Sequence, residues 1–325
     1  MLLRRLTFSL LSAVLVAGAG TASLSAFPAA AKAPMVKTSA PGYYRFKVGQ
    51  FEVTALSDGT DDLPVDQLLT HTTPDAVKAA LAAHFEKLPL ELSVNTYLVN
   101  TGSRLILIDT GAGTFFGPTV GKLQQSLKAA GYRPDQVDDV FITHMHPDHV
   151  GGLLKGKLMA FPNAVIHINK ADTDFWLSQA NQDHAPDSAK PFFKDAVAAV
   201  APYLKAGRLA TFTNGGELVP GIRAVPIAGH TAGHTGYLVE SDGQSMLMWG
   251  DVVHVAAMQF ADPSITIAYD SDADEAASDR IAIFKDAADK GYLVASSHLP
   301  FPGLGHVRVQ GNGFEWVPVD YSVMR

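Results

Sequence analysis

Residues 141–149 read FITHMHPDH, and this short stretch carries the strongest signal in the sequence. Its three histidines and one aspartate directly follow an apolar, strand-like run. In extended backbone, side chains two residues apart point the same way, so His144 and His146 can grip one ion together. Asp148 and His149 lie beyond a proline, where the chain must turn, and can reach a second ion. Neutral imidazole and carboxylate are the usual ligands of zinc and similar divalent ions, so the stretch predicts a metal centre.

Further ligands are expected at other strand ends, because each ion needs at least three protein groups. Strand ends in layered α/β folds meet at one edge, where binding sites are built. Taken alone, each candidate has a plainer interpretation, since a strand-end aspartate often forms a turn or a helix cap. Together with the first cluster they make a specific set: His230 and His234 in the motif GHTAGHT at 229–235, Asp251 after a glycine, and His298.

The composition of the 325-residue chain excludes several classes of protein. A hydrophobic fraction of 47% is too high for a disordered chain. The absence of cysteine excludes disulfides, a thiolate nucleophile, an iron–sulfur cluster and cysteine-ligated zinc. The formal net charge of −7 argues against a nucleic-acid partner, because phosphate binding needs a basic face.

Residues 1–31 have the three-part pattern of a signal peptide. Arg4 and Arg5 precede an apolar run that is too short to span a bilayer, and small residues follow it. We expect cleavage after Ala26 or Ala31 and a periplasmic or secreted protein, and an uncleaved membrane anchor is the alternative. No other stretch is long and apolar enough for a membrane helix, so stable membrane insertion is not expected.

The rest of the chain, residues 32–325, alternates strand-like and helix-like segments, which favours an α/β fold. Hairpin signals such as the turn Thr101–Ser103 add antiparallel pairing. No linker rich in proline, glycine and serine divides this part, so one domain is expected. The predicted strands are Tyr43–Val48, Phe51–Leu56, Val94–Asn100, Arg104–Asp109, Val140–Thr143, Ala164–Asn169, Arg208–Thr213, Ile222–Ile227, Gly236–Glu240, Ser245–Trp249 and Tyr292–Ser296, and the predicted helices are Pro74–Lys87, Gly117–Ala130, Asp172–Gln179, Ala189–Lys205 and Glu275–Lys290.

The motifs resemble those of the metallo-β-lactamase superfamily. They are H-x-H-x-D-H at 144–149, GHTAGHT at 229–235, Gly-Asp at 250–251, the late His298 and the strand LILIDTG at 105–111. Longer strings, including ITHMHPDHVGGL and SSHLPFPGLGH, are more similar to the methyl parathion hydrolase-like branch. The resemblance implies an αββα sandwich of two mixed sheets with outer helices, and a site for two divalent ions at one edge.

The same resemblance implies a role for each candidate side chain. The roles are ligands of one ion (His144, His146, His234), ligands of the other (Asp148, His149, His298), and supporting residues that bind no ion (Asp109, His230). Asp251 would bridge both ions together with a catalytic hydroxide. Zinc is the default ion, with manganese, cobalt or iron as alternatives.

Two ions that share a hydroxide suit the hydrolysis of lactones, esters, amides or phosphotriesters. Other branches of the superfamily fit less well. Two classes of zinc β-lactamase use a cysteine, and the third usually has serine where this chain has Asp251. Glyoxalase II-type thioesterases add a helical tail, whereas residues 307–319 are strand-like. The sequence therefore predicts a metal-dependent hydrolase, and the resemblance implies a homodimer.

The resemblance also places six side chains around the substrate: Phe116, Trp176, Phe193, His254, Ile267 and Tyr269. Aromatic walls suit a flat aryl leaving group, although aromatic residues are also common in cores. Organophosphate-specialised members carry smaller or apolar residues at some of these places, so His254 favours lactones and aryl esters, with phosphotriesters as a side activity. The alternatives are a dedicated methyl parathion-type organophosphate hydrolase and, in another class, a non-catalytic exported metal-binding protein.

Overall fold

A computed structural model describes residue 33, residues 35–213 and residues 215–323. Every helix and strand of the described chain belongs to one compact unit, residues 40–325. The predicted signal peptide lies outside the described residues. Within the described ranges, no helix is long and apolar enough to cross a membrane.

Strands and helices alternate along the described chain. In chain order the strands are β1 (Tyr43–Val48), β2 (Phe51–Leu63), β3 (Leu69–Thr70), β4 (Leu90–Asn100), β5 (Leu105–Ile108), β6 (Asp139–Phe141), β7 (Leu154–Lys155), β8 (Leu158–Met159), β9 (Val165–Asn169), β10 (Leu209–Phe212), β11 (Gly216–Val219), β12 (Ile222–Pro226), β13 (Thr235–Ser241), β14 (Gln244–Met248), β15 (Thr266–Ile267), β16 (Leu293–Ala295), β17 (Leu304–Gln310) and β18 (Gly313–Pro318). The helices are α1 (Val65–Leu68), α2 (Pro74–Ala83), α3 (Leu123–Ala129), α4 (Pro147–Val150), α5 (Lys170–Trp176), α6 (Gln179–His184), α7 (Lys190–Lys205), α8 (Ala256–Gln259) and α9 (Ala273–Lys290).

Most of these strands belong to two seven-stranded sheets of mixed direction. The first sheet has the order β1-β2-β4-β5-β6-β9-β10, and its strands β5, β6, β9 and β10 run parallel. The second has the order β11-β12-β13-β14-β16-β17-β18, in which β14 and β16 run parallel. Two short pairs, β3 with β15 and β7 with β8, stand apart from the sheets.

Alternation of side chains divides the apolar residues into layers, as β5 illustrates. Ile106 and Ile108 pack between the two sheets, while Leu105 and Leu107 belong to the cluster that holds α3 and α7. On the outer face of the second sheet, Phe284 of α9 packs in a further cluster. The order of layers is helix, sheet, sheet, helix, so the predicted αββα sandwich is confirmed.

Two helices are several residues shorter than the sequence predicts, since α2 ends at Ala83 rather than Lys87 and α3 starts late. The pattern predicts a helix over Gly117–Ala130, but α3 begins at Leu123. Residues 112–121 instead form a loop whose two ends are joined by the buried carboxylate of Asp58. One of its oxygens accepts hydrogen bonds from the first and last backbone N–H groups of the loop, each at 2.9 Å. Phe116 lies on this loop and lines the cavity beside the candidate ligands.

Candidate metal centre

Four segments meet at one edge of the sandwich and bring the candidate ligands together. Residues 144–149 follow β6, the loop 227–234 leads into β13, Asp251 follows β14, and His298 follows β16. Gly250 is needed for the close approach of two of these segments. Its φ is +60°, and a Cβ there would lie 2.4 Å from a histidine ring of the adjoining loop.

Three histidine rings and one carboxylate form the first ligand group. Nε2 of His144 lies 2.9 Å from Nδ1 of His146, and Nε2 of His230 lies 3.0 Å from that same Nδ1 atom. Oδ2 of Asp251 lies 3.3 Å from Nε2 of His230. All four residues are buried, and their ligand atoms lie within 4.8 Å of one another. Nitrogen and oxygen atoms that converge in this way are typical of ligands around a divalent ion.

Two histidines and two carboxylates form the second ligand group. Nε2 of His149 lies 3.2 Å from Oδ1 of Asp251 and 3.4 Å from Oδ2 of Asp148. Nε2 of His298 lies 3.1 Å from Oδ2 of Asp251. Asp251 belongs to both groups, so its carboxylate is placed to bridge two ions.

Two buried atoms of this cluster show that the donor set suits cations. Nε2 of His149 and Oδ1 of Asp251 make no hydrogen bond within the described residues. A buried polar atom without a partner costs about 1–3 kcal/mol, and a cation bound between these atoms would satisfy both. Each group also supplies the three or more nitrogen and oxygen donors that zinc takes in proteins. The residues therefore fit a centre for two divalent ions.

The electrostatics of the site also favour cations. Burial holds the pKa of His144 and of His146 well below the ordinary value, so both rings are neutral and offer free lone pairs. Burial alone would also lower the pKa of His230, but hydrogen bonds to Asp251 and Asp270 raise it to about 9. This raised pKa reflects an excess of buried negative charge, which bound cations would balance.

The third histidine of the first group is His230, and the prediction of His234 in that place is wrong. Nδ1 of His234 donates to the carbonyl oxygen of Ile227 at 2.8 Å, and Nε2 accepts a hydrogen bond from the backbone N–H of Asp251 at 3.0 Å. Both ring nitrogens are therefore engaged, and His234 holds its loop against the Asp251 segment. The two histidines exchange the roles that the resemblance implied.

Acceptors behind the ligands fix the orientation of their rings. Asp109, at the end of β5, accepts a hydrogen bond from Nδ1 of His149 at 2.8 Å. Asp270 accepts one from Nδ1 of His230 at 2.7 Å, and a backbone carbonyl of β4 accepts one from Nδ1 of His298 at 3.0 Å. Asp270 is not among the predicted site residues, because it lies 40 residues from its partner and belongs to none of the quoted motifs.

Five of the seven residues in the two ligand groups line a cavity of about 140 Å³: His146, Asp148, His230, Asp251 and His298. The other lining residues are mostly apolar: Asp61, Leu63, Leu92, Val94, Phe116, Pro147, Phe192, His254 and Tyr269. A second groove of about 620 Å³ adjoins the cavity, and the two share His146, Phe192 and Tyr269. The site therefore has a confined space beside the ligands and a larger aromatic extension.

The predicted pocket residues fall into three places. Phe116, His254 and Tyr269 line the metal cavity, whereas Trp176 and Phe193 line only the adjoining groove. The prediction that Ile267 lines the pocket is wrong. It pairs with β3 and is buried in a separate apolar cluster, where the β3–β15 pairing holds it. Phe192, next to the predicted Phe193, lines both spaces but is not among the predicted residues.

The exchanged histidines lead to a prediction about metal content. We expect His230→Ala to retain one tightly bound ion per chain and to bind the other about 100-fold more weakly, because His230 supplies one of three histidine nitrogens in the first group. Metal analysis after gel filtration of zinc-loaded protein measures this. His234→Gln should keep two ions, and the exposed His184→Ala is the matched control. Loss of an ion from His234→Gln but not from His230→Ala would restore the original assignment.

The chain is similar to proteins of one superfamily in sequence. Residues 90–298 match the sequence pattern of the metallo-β-lactamase superfamily. Two curated relatives are N-acyl homoserine lactonases, from Bacillus sp. (27% identical over 172 residues) and Bacillus cereus (26% identical over 178 residues). These alignments cover 47% and 49% of this chain, and 60% and 63% of the relatives. The chain thus spans about three-fifths of the length of these relatives.

Two solved structures are similar over most of the chain. The hydrolase AbOPH of the β-lactamase superfamily is 34% identical with a TM-score of 0.84, over 88% of this chain and 100% of that one. AidC, a dizinc quorum-quenching lactonase solved with the product N-hexanoyl-L-homoserine, is 29% identical with a TM-score of 0.79, over 87% of this chain and 99% of that one. Both share the sandwich described above.

Proposed function

This chain belongs to the metallo-β-lactamase superfamily, and we propose that it is a dinuclear metal-dependent hydrolase of lactones and aryl esters. The observation that carries the proposal is the pair of ligand groups that share Asp251 beside a mostly apolar cavity. A non-catalytic metal-binding protein needs neither a shared carboxylate nor a substrate-sized space next to it. The lactonases among its relatives and structural neighbours support the choice of substrate class.

In this proposal the first ligand group holds one ion and the second holds the other. When bound, the two ions supply an activated water at neutral pH and polarise the bond under attack. The chain's own residues orient and shield the site. Asp109 and Asp270 fix the rings of His149 and His230, and the apolar walls of the cavity limit the access of bulk water.

The shape of the site suggests how a substrate would lie. A lactone ring or the carbonyl end of an ester would occupy the cavity beside the ligands. The acyl or aryl remainder would extend past Phe192 and Tyr269 into the adjoining groove, where Trp176 and Phe193 offer aromatic surface. Apolar walls with a few convergent polar groups are typical of small-molecule sites.

Zinc is the proposed ion, because the donors are histidine and carboxylate and the similar AidC is a dizinc protein. Phosphotriester cleavage is proposed as a side activity. Export is proposed from the signal-peptide pattern of residues 1–31. The mass of the mature chain tests it, because cleavage of the signal peptide shortens the chain. A homodimer is proposed from the family resemblance, and sedimentation measures it.

A substrate panel on zinc-loaded protein tests the proposed function. The panel contains dihydrocoumarin, an acyl-homoserine lactone, a phenyl ester and methyl parathion. We expect the highest kcat/KM for a lactone or the aryl ester and a lower value for methyl parathion. Preference for methyl parathion would favour a dedicated organophosphate hydrolase. Two bound ions with no turnover of any substrate would favour a non-catalytic metal-binding protein.

The position of His254 leads to a prediction about substrate choice. Its Nε2 lies 3.1 Å from Oδ2 of Asp251, and its ring stacks on that of His298 with centroids 5.0 Å apart. The imidazole therefore forms a polar part of the cavity wall. Its Nδ1 makes no hydrogen bond within the described residues and would be the atom that binds an ester oxygen, whereas the ring would crowd a tetrahedral phosphotriester. We expect His254→Leu to shift the ratio of kcat/KM values toward methyl parathion and away from dihydrocoumarin by about 10-fold, or about 1.4 kcal/mol.

The control for this variant is His306→Leu, at an exposed histidine on β17, which should leave the ratio unchanged. Metal content should remain at two ions per chain, because His254 belongs to neither ligand group. Equal effects on both substrates would remove His254 from the specificity argument.

A further inference from the structure

We propose that Asp172 is a positioning residue for the first ion, because its carboxylate joins the two loops that supply the three histidines of the first ligand group. The inference rests on the dinuclear site of the proposed function. None of the sequence motifs includes Asp172. It lies near the start of α5, on an element that supplies no ligand to either group.

The carboxylate of Asp172 is fully buried and divides its two oxygens between the two loops. Oδ2 accepts a hydrogen bond from the backbone N–H of Met145 at 2.8 Å, and Met145 stands between His144 and His146. Oδ1 accepts one from the backbone N–H of Gly233, also at 2.8 Å, in the loop that carries His230. One side chain thus sets the distance between the backbone segments behind all three rings.

These two loops come from different halves of the sandwich. Residues 142–149 follow β6 of the first sheet, and residues 227–234 lead into β13 of the second. The 3.0 Å separation between Nε2 of His230 and Nδ1 of His146 therefore depends on how the two sheet edges are held together. Hydrogen bonds that a charged carboxylate accepts are stronger than those between neutral groups, so Asp172 can hold the two loops together effectively.

Gly233 shows how tightly the tie is built. A Cβ at this position would lie 2.6 Å from the backbone nitrogen of Asp172 and 2.8 Å from its Oδ1. Only glycine allows this approach, since real Cβ atoms do not come so near to other atoms. The loop and the start of α5 are therefore fitted to each other.

The second ligand group is held by other contacts. Asp109 accepts a hydrogen bond from His149, and a β4 carbonyl accepts one from His298. The hydrogen bonds of the Asp172 carboxylate within the described residues go instead to the two loops of the first group. Asp172 should therefore govern the affinity of one ion and leave the other unchanged.

The test is a zinc titration of Asp172→Asn against a competing chromophoric chelator. Asparagine has one acceptor oxygen, so it can accept the hydrogen bond from one of the two loops but not from both. We expect one ion to bind about 10- to 100-fold more weakly, the range seen when groups behind metal ligands are changed, and the other to bind as in the wild type. Activity should fall at limiting zinc and recover in excess zinc, which a general loss of folding would not allow.

Three further variants supply a control, identify the ion that is affected and test the contact from the other side. Asp174→Asn, at an exposed carboxylate of the same helix, is the matched control and should bind both ions normally. In the double variant Asp172→Asn/His230→Ala, the weakening should fall on the same ion as in His230→Ala and be smaller than the two single effects combined, because changes at coupled sites are not additive. Gly233→Ala provides a second test that keeps the carboxylate but forces the loop away, and it should also weaken one ion.

The outcomes separate this inference from the proposed function. A wild-type protein that does not bind two ions would overturn the proposed function itself. Two ions in the wild type with unchanged affinities in Asp172→Asn would overturn only the role of Asp172. Equal weakening of both ions would do the same, since it would indicate a general structural effect. If Asp172→Asn does not fold, Gly233→Ala decides between these results.

Discussion

Removal of both ions by a chelator should reduce hydrolysis of lactones and aryl esters to the uncatalysed background. The sequence contains no cysteine, and no serine, threonine or lysine lines the metal cavity within the described residues. The chain itself therefore offers no side-chain nucleophile of these kinds at the site. The measurement is the rate of dihydrocoumarin hydrolysis before and after dialysis against a chelator, with the metal content of each sample determined in parallel.

Re-addition of zinc should restore the rate, and circular dichroism of the stripped protein should show that the sandwich persists. The melting temperature should fall on stripping, since a ligand that binds only the folded state stabilises it. A verified metal-free sample with full activity would contradict the dinuclear mechanism and leave the ligand groups with a structural role.

Much of the fold and of the metal centre could be predicted because the signals are local. The pattern H-x-H-x-D-H sits at a strand end, so the period of the strand and the turn at Pro147 already place four donors together. The unbroken apolar run of β5 likewise indicates a strand that is buried on both faces. Such signals depend on neighbouring residues, which the sequence displays directly.

The exchange of His230 and His234 shows that neighbouring residues alone do not determine which histidine of a motif becomes a ligand. Both histidines stand in one short motif after an apolar strand, and nothing in that motif says which ring reaches the ions. The choice depends on the backbone N–H of Asp251, which occupies Nε2 of His234, and on Asp270, which orients His230. These partners come from distant parts of the chain, so only the tertiary structure reveals them.

The pocket was harder to predict than the ligands for the same reason. Phe116 reaches the cavity on a loop that Asp58 closes, although the sequence predicts a helix from the next residue, Gly117. Ile267 turns into a core because β15 pairs with a strand almost 200 residues earlier. Side-chain direction in such segments is set by long-range pairing, which a single sequence does not display.

The substitution Asp251→Asn should lower turnover at least about 100-fold and weaken the retention of both ions. Oδ1 of Asp251 faces His149 of the second group, and Oδ2 lies 3.1–3.6 Å from His298, His230 and His144. Asparagine keeps the shape, but it removes the negative charge that helps to balance two dications. It also replaces one acceptor oxygen by an N–H donor, which cannot bind an ion. Steady-state kinetics together with metal analysis of the gel-filtered protein measure both effects.

The matched control is Asp242→Asn, at the far end of the β13–β14 hairpin that precedes Asp251. Asp242 is exposed and has a φ of +49°, a conformation that asparagine tolerates, so turnover and metal content should stay at wild-type values. Because the charge change is the same in both variants, a difference between them isolates the position of the carboxylate from the net charge of the chain. An Asp251→Asn protein that keeps two ions and near-normal turnover would show that this carboxylate is not the bridge, and the two ligand groups would then have to act as separate sites.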